Sequence, residues 1–266
     1  MSRSFRTDPF HAIADAGVGR PAHKPTKLVT NRMLTSAREV ISNAERLLDD
    51  ARGLEFRKPP TSAWFLALIA QEELAKAFIL CLSERRVLPW NQHLLRMLQD
   101  HKCKQLICVV MDYLAPDLDE FLARVNTVTV HRKLPVMPAK VADALNILRH
   151  EKIGRWMAGK WFWAENPCYD REAQEIADGK QDKRKQDALY VRLGGDGRVV
   201  STPVKHAHAK LAAEMERADR FRSLLERLVA GVQNPALDWE DVRDAFKLLF
   251  TDLATQGKSG PTMRSS

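Results

Sequence analysis

The sequence predicts an all-α protein that carries one small, peripheral β-hairpin. Apolar residues recur at three- and four-residue spacing through successive segments between residues 31 and 254, and proline or glycine separates these segments. Only residues 188–201 predict a β-hairpin, with two short strands and a glycine-rich turn at 194–197. A chain of 266 residues with 45% hydrophobic content can bury a sizeable core. We therefore expect one helical domain over residues 31–254.

The first two helices form a predicted hairpin. Residues 31–52 carry an amphipathic apolar stripe that stops at Gly53, and a stiff Pro59-Pro60 linker follows. The next helix contains the run Trp64–Leu80, which is apolar nearly all round. Because every face of this helix is apolar, we expect it to be buried on several sides.

The remaining segments follow from the same rules. The stretch 90–114 has helical composition, and Asp100 can cap a second helix that begins inside it. Residues 127–130 are β-branched and predict a loop or short extended piece, and the very polar segment 170–187 predicts a solvated loop. The other predicted helices are 116–125, 139–165, 203–231 and 237–254.

The net charge of +8 is concentrated at the two ends of the chain. We interpret both ends of the chain as disordered tails, over residues 1–30, which are rich in basic residues, Gly and Pro, and residues 255–266. The tails account for most of the charge, so the charge alone is weak evidence for an RNA-binding core. Four scattered cysteines suit a reducing cytoplasm, and we expect a cytoplasmic protein without a signal peptide or membrane span.

Two adjacent acids interrupt the apolar Trp64–Leu80 run. Glu72 and Lys76 have the i, i+4 spacing of a helical ion pair, whereas Glu73 projects onto the flank of the core face and needs a partner from another segment. The simpler interpretation is that these are structural ion pairs. The alternative is that they form the polar floor of a functional site. For Glu73 we expect a contact with His101 or Lys104.

Arg96 and His101 have a spacing found in metal-independent ribonucleases, where a histidine transfers protons and an arginine stabilises the phosphate. Four Arg/His pairs of this spacing occur in the chain, about twice the number expected by chance, so the pattern decides nothing by itself. In one continuous helix the two side chains would diverge by about 140°. Sharing a phosphate therefore requires a helix break near Asp100 or a second subunit.

Residues 131–160 hold seven basic and two acidic side chains, a local concentration that favours contact with nucleic acid. The nucleic-acid-binding candidates are Lys102, Lys104, Arg149, Lys152 and Arg155. His206 and His208 lack a supporting third ligand. We therefore predict no metal site and no cofactor.

Three sequence motifs occur in a fixed order. They are Asn43–Leu48 with the signature Glu72-Glu-Leu-Ala-Lys-Ala77, the element His101-Lys-Cys-Lys104, and the hairpin that begins at Lys185-Gln-Asp-Ala-Leu-Tyr-Val191 and leads to Ser201-Thr-Pro203. In this order they resemble the AbiV-type abortive-infection proteins. Ala75 stands where the family signature has glycine. The resemblance spans roughly residues 35–230, and it implies a HEPN-like helical bundle, a superfamily that often dimerises and often cleaves RNA through Arg-x4-6-His.

The resemblance implies a phage-defence effector that acts on RNA or the translation machinery, with catalytic candidates His101, Arg96, Glu73 and Lys76. Met97 follows Arg96 where active HEPN motifs usually have a polar residue, which bears on nuclease activity. The alternative is a non-catalytic binding or regulatory protein that blocks translation or a phage protein by occupancy. The expected partners are RNA or the ribosome, a phage protein and a second copy of the chain.

Overall fold

The computed structural model describes residues 27–131, 137–153, 168–203, 210–230 and 239–251. Within these ranges the protein is built from α-helices and a two-stranded antiparallel sheet. The predicted fold class, an all-α bundle with one small hairpin, is therefore confirmed.

The described helices follow one another along the chain from α1 to α10. They are α1 (Lys27–Leu54), α2 (Thr61–Glu84), α3 (Gln92–Gln99), α4 (His101–Leu114), α5 (Leu118–His131), α6 (Ala139–Asn146), α7 (Arg171–Ala177), α8 (Lys180–Leu189), α9 (Leu211–Ala230) and α10 (Trp239–Thr251). A π-helical segment, Ile147–Ile153, continues α6, and the hairpin strands are β1 (Arg192–Leu193) and β2 (Val199–Ser201).

Helix α2 is the centre of the bundle. Helices α1, α4, α8 and α9 all pack against it, and most of its residues are buried, including Leu74 and Phe78 at 0% exposure. Because apolar side chains cover its whole circumference, packing on several sides removes far more apolar surface from water than a single face could. The predicted multi-sided burial of this helix is confirmed.

A short break separates α3 from α4. The Asn91 side chain accepts hydrogen bonds from the backbone N–H groups of His93 and Leu94 and caps α3. Asp100 has an extended backbone conformation and accepts from the N–H of Cys103 at 3.0 Å, which caps α4. Such caps satisfy N–H groups that have no partner inside the helix. The new helix predicted to begin at Asp100 is confirmed, and His101 is the first residue of α4.

Two loop predictions were wrong. Helix α5 continues through 127–130, where we expected a loop, because the bias of β-branched residues against helix is a weak local preference. The polar segment 170–187 forms α7 and most of α8, with Asp170 capping α7 and Gly179 at a φ of 76° between the two helices. The polar composition was misleading because Lys185, Ala173 and Ile176 are buried against the bundle.

Other boundaries differ by a few residues. The hairpin is shorter than predicted, since residues 188 and 189 belong to α8. The helix predicted from Ala139 changes to π-helical hydrogen bonding at Ile147, and the rest of its predicted span, 154–165, lies outside the described residues. Both predicted tails lie outside them too, apart from residues 27–30, which belong to α1. Among the described helices none combines the length and apolarity needed to cross a membrane.

Candidate functional site

The centre of the candidate site is the carboxylate of Glu72, which is buried in the middle of α2 with 3% of the residue exposed. Its Oε2 lies 2.5 Å from Nδ1 of His101 and 3.3 Å from Nζ of Lys104. Its Oε1 accepts from Nε2 of Gln105 at 2.9 Å and contacts the ammonium of Lys185. Four donors from two other helices therefore surround one buried acid.

Local helix geometry explains how these donors converge. His101, Lys104 and Gln105 stand at positions i, i+3 and i+4 of α4, so they share one face of that helix. Lys185 and Asp182 are three residues apart on α8, and Asp182 accepts from Gln105 at 2.9 Å and pairs with Lys185 at 2.7 Å. The acids and donors thus form one network that links α2, α4 and α8.

This network keeps Glu72 ionised despite its burial. Desolvation by burial raises the pKa of Glu72, but the charge and hydrogen bond of Lys185, with hydrogen bonds from Gln105 and His101, outweigh it, so the pKa lies below its ordinary value. The pKa of Asp182 is lowered in the same way: burial raises it, and Lys185 and Gln105 more than compensate. Both carboxylates are therefore charged near neutral pH.

His101 is the member of the network that reaches the surface, since 54% of its side chain is exposed. An ionised carboxylate can only accept a hydrogen bond, so the contact with Glu72 requires a proton on Nδ1 of His101. In the neutral imidazole, Nε2 is then the nitrogen that can accept a proton. A buried acid that fixes the tautomer of a half-exposed histidine is an arrangement suited to proton transfer.

The predicted contacts of Glu73 and Lys76 were wrong. The structure gives the His101 and Lys104 contacts to Glu72, whereas Glu73 pairs with Lys76 and accepts from Asn43 at 3.3 Å. The expected Glu72–Lys76 pair is replaced by this i, i+3 pair. Glu73 therefore lies on the side of α2 that faces α1, and neither Glu73 nor Lys76 contacts His101.

Arg96 is an exposed residue of α3, the helix that precedes His101. Among the described residues, no ion pair or hydrogen bond joins its guanidinium to His101 or to another side chain. The helix break that sequence reasoning required is present at Asp100, but the structure does not bring the two predicted catalytic side chains into contact. A cation with a defined contact at this break is Lys152, whose Nζ lies 3.2 Å from Oδ2 of Asp100.

The predicted nucleic-acid-binding residues are divided by their burial. Lys104 (6% exposed) and Arg149 (2% exposed) are buried, so these two do not offer a surface to nucleic acid in this conformation. Lys102 is partly exposed and donates to the carbonyl of Ala177 at 2.6 Å, and Lys152 is partly exposed beside Asp100. Arg155 lies outside the described residues.

A metal ion does not fit this arrangement well. Glu72, His101 and Asp182 each place a ligand atom within 4.8 Å of the others. The ammonium of Lys185 already bridges Glu72 and Asp182, and Lys104 provides a second buried positive charge. Two ammonium groups in contact with the donor set would repel a divalent cation. The carboxylates are therefore neutralised by the chain's own lysines.

Sequence reasoning missed Glu72 as the central acid, and it missed Gln105, Asp182 and Lys185. A signal existed for part of this set, because the i, i+3, i+4 spacing of His101, Lys104 and Gln105 predicts a polar face on α4. No local signal connects Lys185 to Glu72, since 113 positions separate them.

Comparison with known proteins identifies the family. The HEPN_AbiV family model, described as AbiV, matches residues 32–223, which is most of the chain and includes most of α1, all of α2, α4 and α8, and the hairpin. The chain therefore belongs to the AbiV family, and the resemblance drawn from its sequence motifs is confirmed. No curated protein and no solved structure matches the chain significantly.

Proposed function

We propose that this AbiV-family protein is a phage-defence effector that arrests an infected bacterial cell by cleaving RNA in the cytoplasm, with His101 as its proton-transfer group. Family membership supports the abortive-infection role. The observation that carries the chemical part is the half-exposed His101 imidazole held at 2.5 Å by the buried Glu72 carboxylate. Histidine is the side chain most often used for acid–base catalysis near neutral pH.

The reaction requires no cofactor. Nε2 of His101 accepts the proton of a ribose 2′-hydroxyl, and the 2′-oxygen attacks the adjacent phosphorus. The bond from phosphorus to the 5′-oxygen breaks and that oxygen takes up a proton from water, which leaves a 2′,3′-cyclic phosphate and a 5′-hydroxyl, while His101 releases the proton it accepted to solvent. Glu72 stabilises the positive charge that develops on the imidazole, in the manner of the acid in a catalytic triad.

The charge on the phosphate needs a cation near His101. Arg96 is the candidate from the sequence motif, and an Arg96 side chain from a second copy of the chain would supply it in a homodimer. Lys152 supports the same role because it contacts Asp100, the residue before His101, and 18% of its side chain is exposed. Lys102, next to His101 in sequence, adds a further charge for the RNA backbone.

The test is incubation of the purified protein with total RNA in EDTA. We expect the wild type to produce fragments that end in a 2′,3′-cyclic phosphate, His101→Ala to lose this activity by at least about 100-fold, and Glu72→Gln to lose a large part of it. Gln99→Ala, an exposed change one residue before the capping Asp100, is the matched control and should cleave like wild type. Intact RNA with the wild type, or equal cleavage by His101→Ala, would refute the enzymatic proposal.

One observation favours a second candidate, a protein that blocks translation or a phage protein by binding alone. Within the described residues Arg96 makes no contact with the His101 network, so a single chain lacks the arginine of the motif at its histidine. This candidate predicts that His101→Ala keeps its toxicity. It also predicts that reversing the charge of Lys102 and Lys152, which are partly exposed, abolishes toxicity.

A further inference from the structure

A second acid, Asp182, lies beside the imidazole of His101. Asp182 is in the first turn of α8, and 27% of its side chain is exposed. A carboxylate oxygen of Asp182, a carboxylate oxygen of Glu72 and a ring nitrogen of His101 all lie within 4.8 Å of one another. At this separation the charge of Asp182 acts on the imidazole directly.

The corner between α7 and α8 holds Asp182 against α4. Lys102 of α4 donates to the carbonyl of Ala177 at 2.6 Å, and Gly179 makes the corner with a φ of 76°. A Cβ at Gly179 would lie 3.0 Å from Cε of Lys102, so glycine is needed here both for its φ and for space. Gln105 of α4 then donates to Asp182 at 2.9 Å. These contacts fix the start of α8 beside the start of α4.

Asp182 shares two donors with Glu72. Nε2 of Gln105 lies 2.9 Å from Oδ1 of Asp182 and 2.9 Å from Oε1 of Glu72. Nζ of Lys185 lies 2.7 Å from Asp182 and contacts the same Oε1. Because both donors are directed to Oε1, the other oxygen of Glu72 remains for His101. Asp182 therefore orients the Glu72 carboxylate through Gln105 and Lys185.

The charges of this network balance when His101 is neutral. Glu72 and Asp182 are negative, and Lys104 and Lys185 are positive. The charged groups at the adjacent helix break, Asp100 and Lys152, form their own ion pair at 3.2 Å. A proton on His101 therefore adds a positive charge to a balanced group. Removing a negative charge from the network makes that proton less favourable, and removing a positive charge makes it more favourable.

We propose that Asp182 is a positioning residue of the His101 site, which orients Glu72 through Gln105 and Lys185 and sets how readily the imidazole takes up a proton. This inference rests on the proposed function, because it concerns the imidazole to which proton transfer is assigned. Asp182 acts on His101 through its charge and on Glu72 through the two shared donors, without contacting the RNA.

The experiment is an NMR titration of the full-length protein that follows the imidazole protons of His101. The chain has eight histidines, and the signal that is missing from the spectrum of His101→Ala identifies His101. Asp182→Asn should move the midpoint of this titration to lower pH by about 0.5–1 unit, the effect of one charge near an imidazole that is partly in water. Lys185→Met should move the midpoint to higher pH by a similar amount. Circular dichroism will verify that both variants fold.

Asp178→Asn is the matched control. Asp178 has the same charge at the same helix corner, but 44% of its side chain is exposed and its ion pair is with Lys180. This substitution should leave the midpoint of His101 unchanged, because water and salt screen the charge of Asp178. The proposal is overturned if Asp178→Asn moves the midpoint as far as Asp182→Asn does, or if Asp182→Asn and Lys185→Met move it in the same direction. If Lys185→Met does not fold, the comparison of Asp182→Asn with Asp178→Asn decides.

RNA cleavage provides a second readout. The pH below which kcat falls should be lower for Asp182→Asn than for the wild type, because the imidazole then stays neutral in more acidic solution. Damage to the structure alone would reduce kcat without moving this pH, and that result would overturn the proposal. Intact RNA with the wild type would refute the proposed function, whereas the NMR titration would still decide whether Asp182 acts on His101.

Discussion

Replacing Glu72 by glutamine should destabilise the protein strongly, because the carboxylate neutralises two buried ammonium groups. Lys104 and Lys185 are 6% and 5% exposed, and the contact with Glu72 is the ion pair that Lys104 makes within the described residues. Removing one partner of a buried ion pair costs about 3–5 kcal/mol. At roughly 2–4 °C per kcal/mol for a chain of this size, Tm should fall by about 6–20 °C.

The assay is thermal unfolding and urea unfolding, both monitored by circular dichroism, with Glu73→Gln as the matched control. Glu73 is the adjacent residue, but it pairs with Lys76, whose side chain is 28% exposed, so its substitution should cost about 1 kcal/mol or less. The reasoning also predicts a reversal of sign. Lys104→Met should destabilise the wild type, and it should stabilise the Glu72→Gln variant by removing the unpaired ammonium.

Equal losses of stability in Glu72→Gln and Glu73→Gln would refute this reasoning. So would a Tm change below about 2 °C for Glu72→Gln, since that outcome would mean that the buried lysines do not depend on this carboxylate.

The remaining predictions concern pH, capping and thiol reactivity. The pKa values of Glu72 and Asp182 are lowered on folding, so the stability that these carboxylates contribute is fully present at neutral pH and is lost as the pH falls below about 4.5. The urea midpoint, measured from pH 7 to pH 3, should therefore decline only in that acidic range. A midpoint that does not change with pH would contradict the lowered pKa values. Asp100→Ala removes the cap of α4 and should cost about 1 kcal/mol, measured in the same unfolding assay; no change would mean that the cap is not a source of stability. Burial raises the pKa of Cys108 to about 12, whereas Cys168 is exposed. A thiol reagent should therefore modify Cys168 first, which peptide mass mapping will detect. Faster labelling of Cys108 in the native protein would contradict its burial.

The arrangement of α1 and α2 was predictable because it depends on local patterns. Apolar spacing defined both helices, and the proline linker and Gly53 marked the connection between them. The cap at Asp100 was likewise readable, since an aspartate before a helical run satisfies free N–H groups wherever the helix packs.

The choice between Glu72 and Glu73 was not predictable from periodicity. Adjacent helical residues point about 100° apart, and α2 is packed on several sides, so either acid could have faced inward. What decides between them is the position of α4 and α8, whose Lys104 and Lys185 neutralise Glu72. The positions of α4 and α8 relative to α2 depend on tertiary contacts, which no short stretch of sequence specifies.

The polar segment that became α8 illustrates the same limit. Its polar composition predicts a solvent-exposed segment. Lys185 is nevertheless buried, because the ionised Glu72 of α2 lies beside it. A lysine is buried only when it is paired, and the pairing depends on the tertiary structure.

The most direct test of the central claim is a plaque assay in bacteria that express wild type, His101→Ala or the control Gln99→Ala at equal levels. If His101, held by Glu72, is the reactive group, the wild type and Gln99→Ala will reduce phage plating and His101→Ala will not. Protection by His101→Ala equal to that of the wild type would contradict the claim and would favour a protein that acts by binding alone.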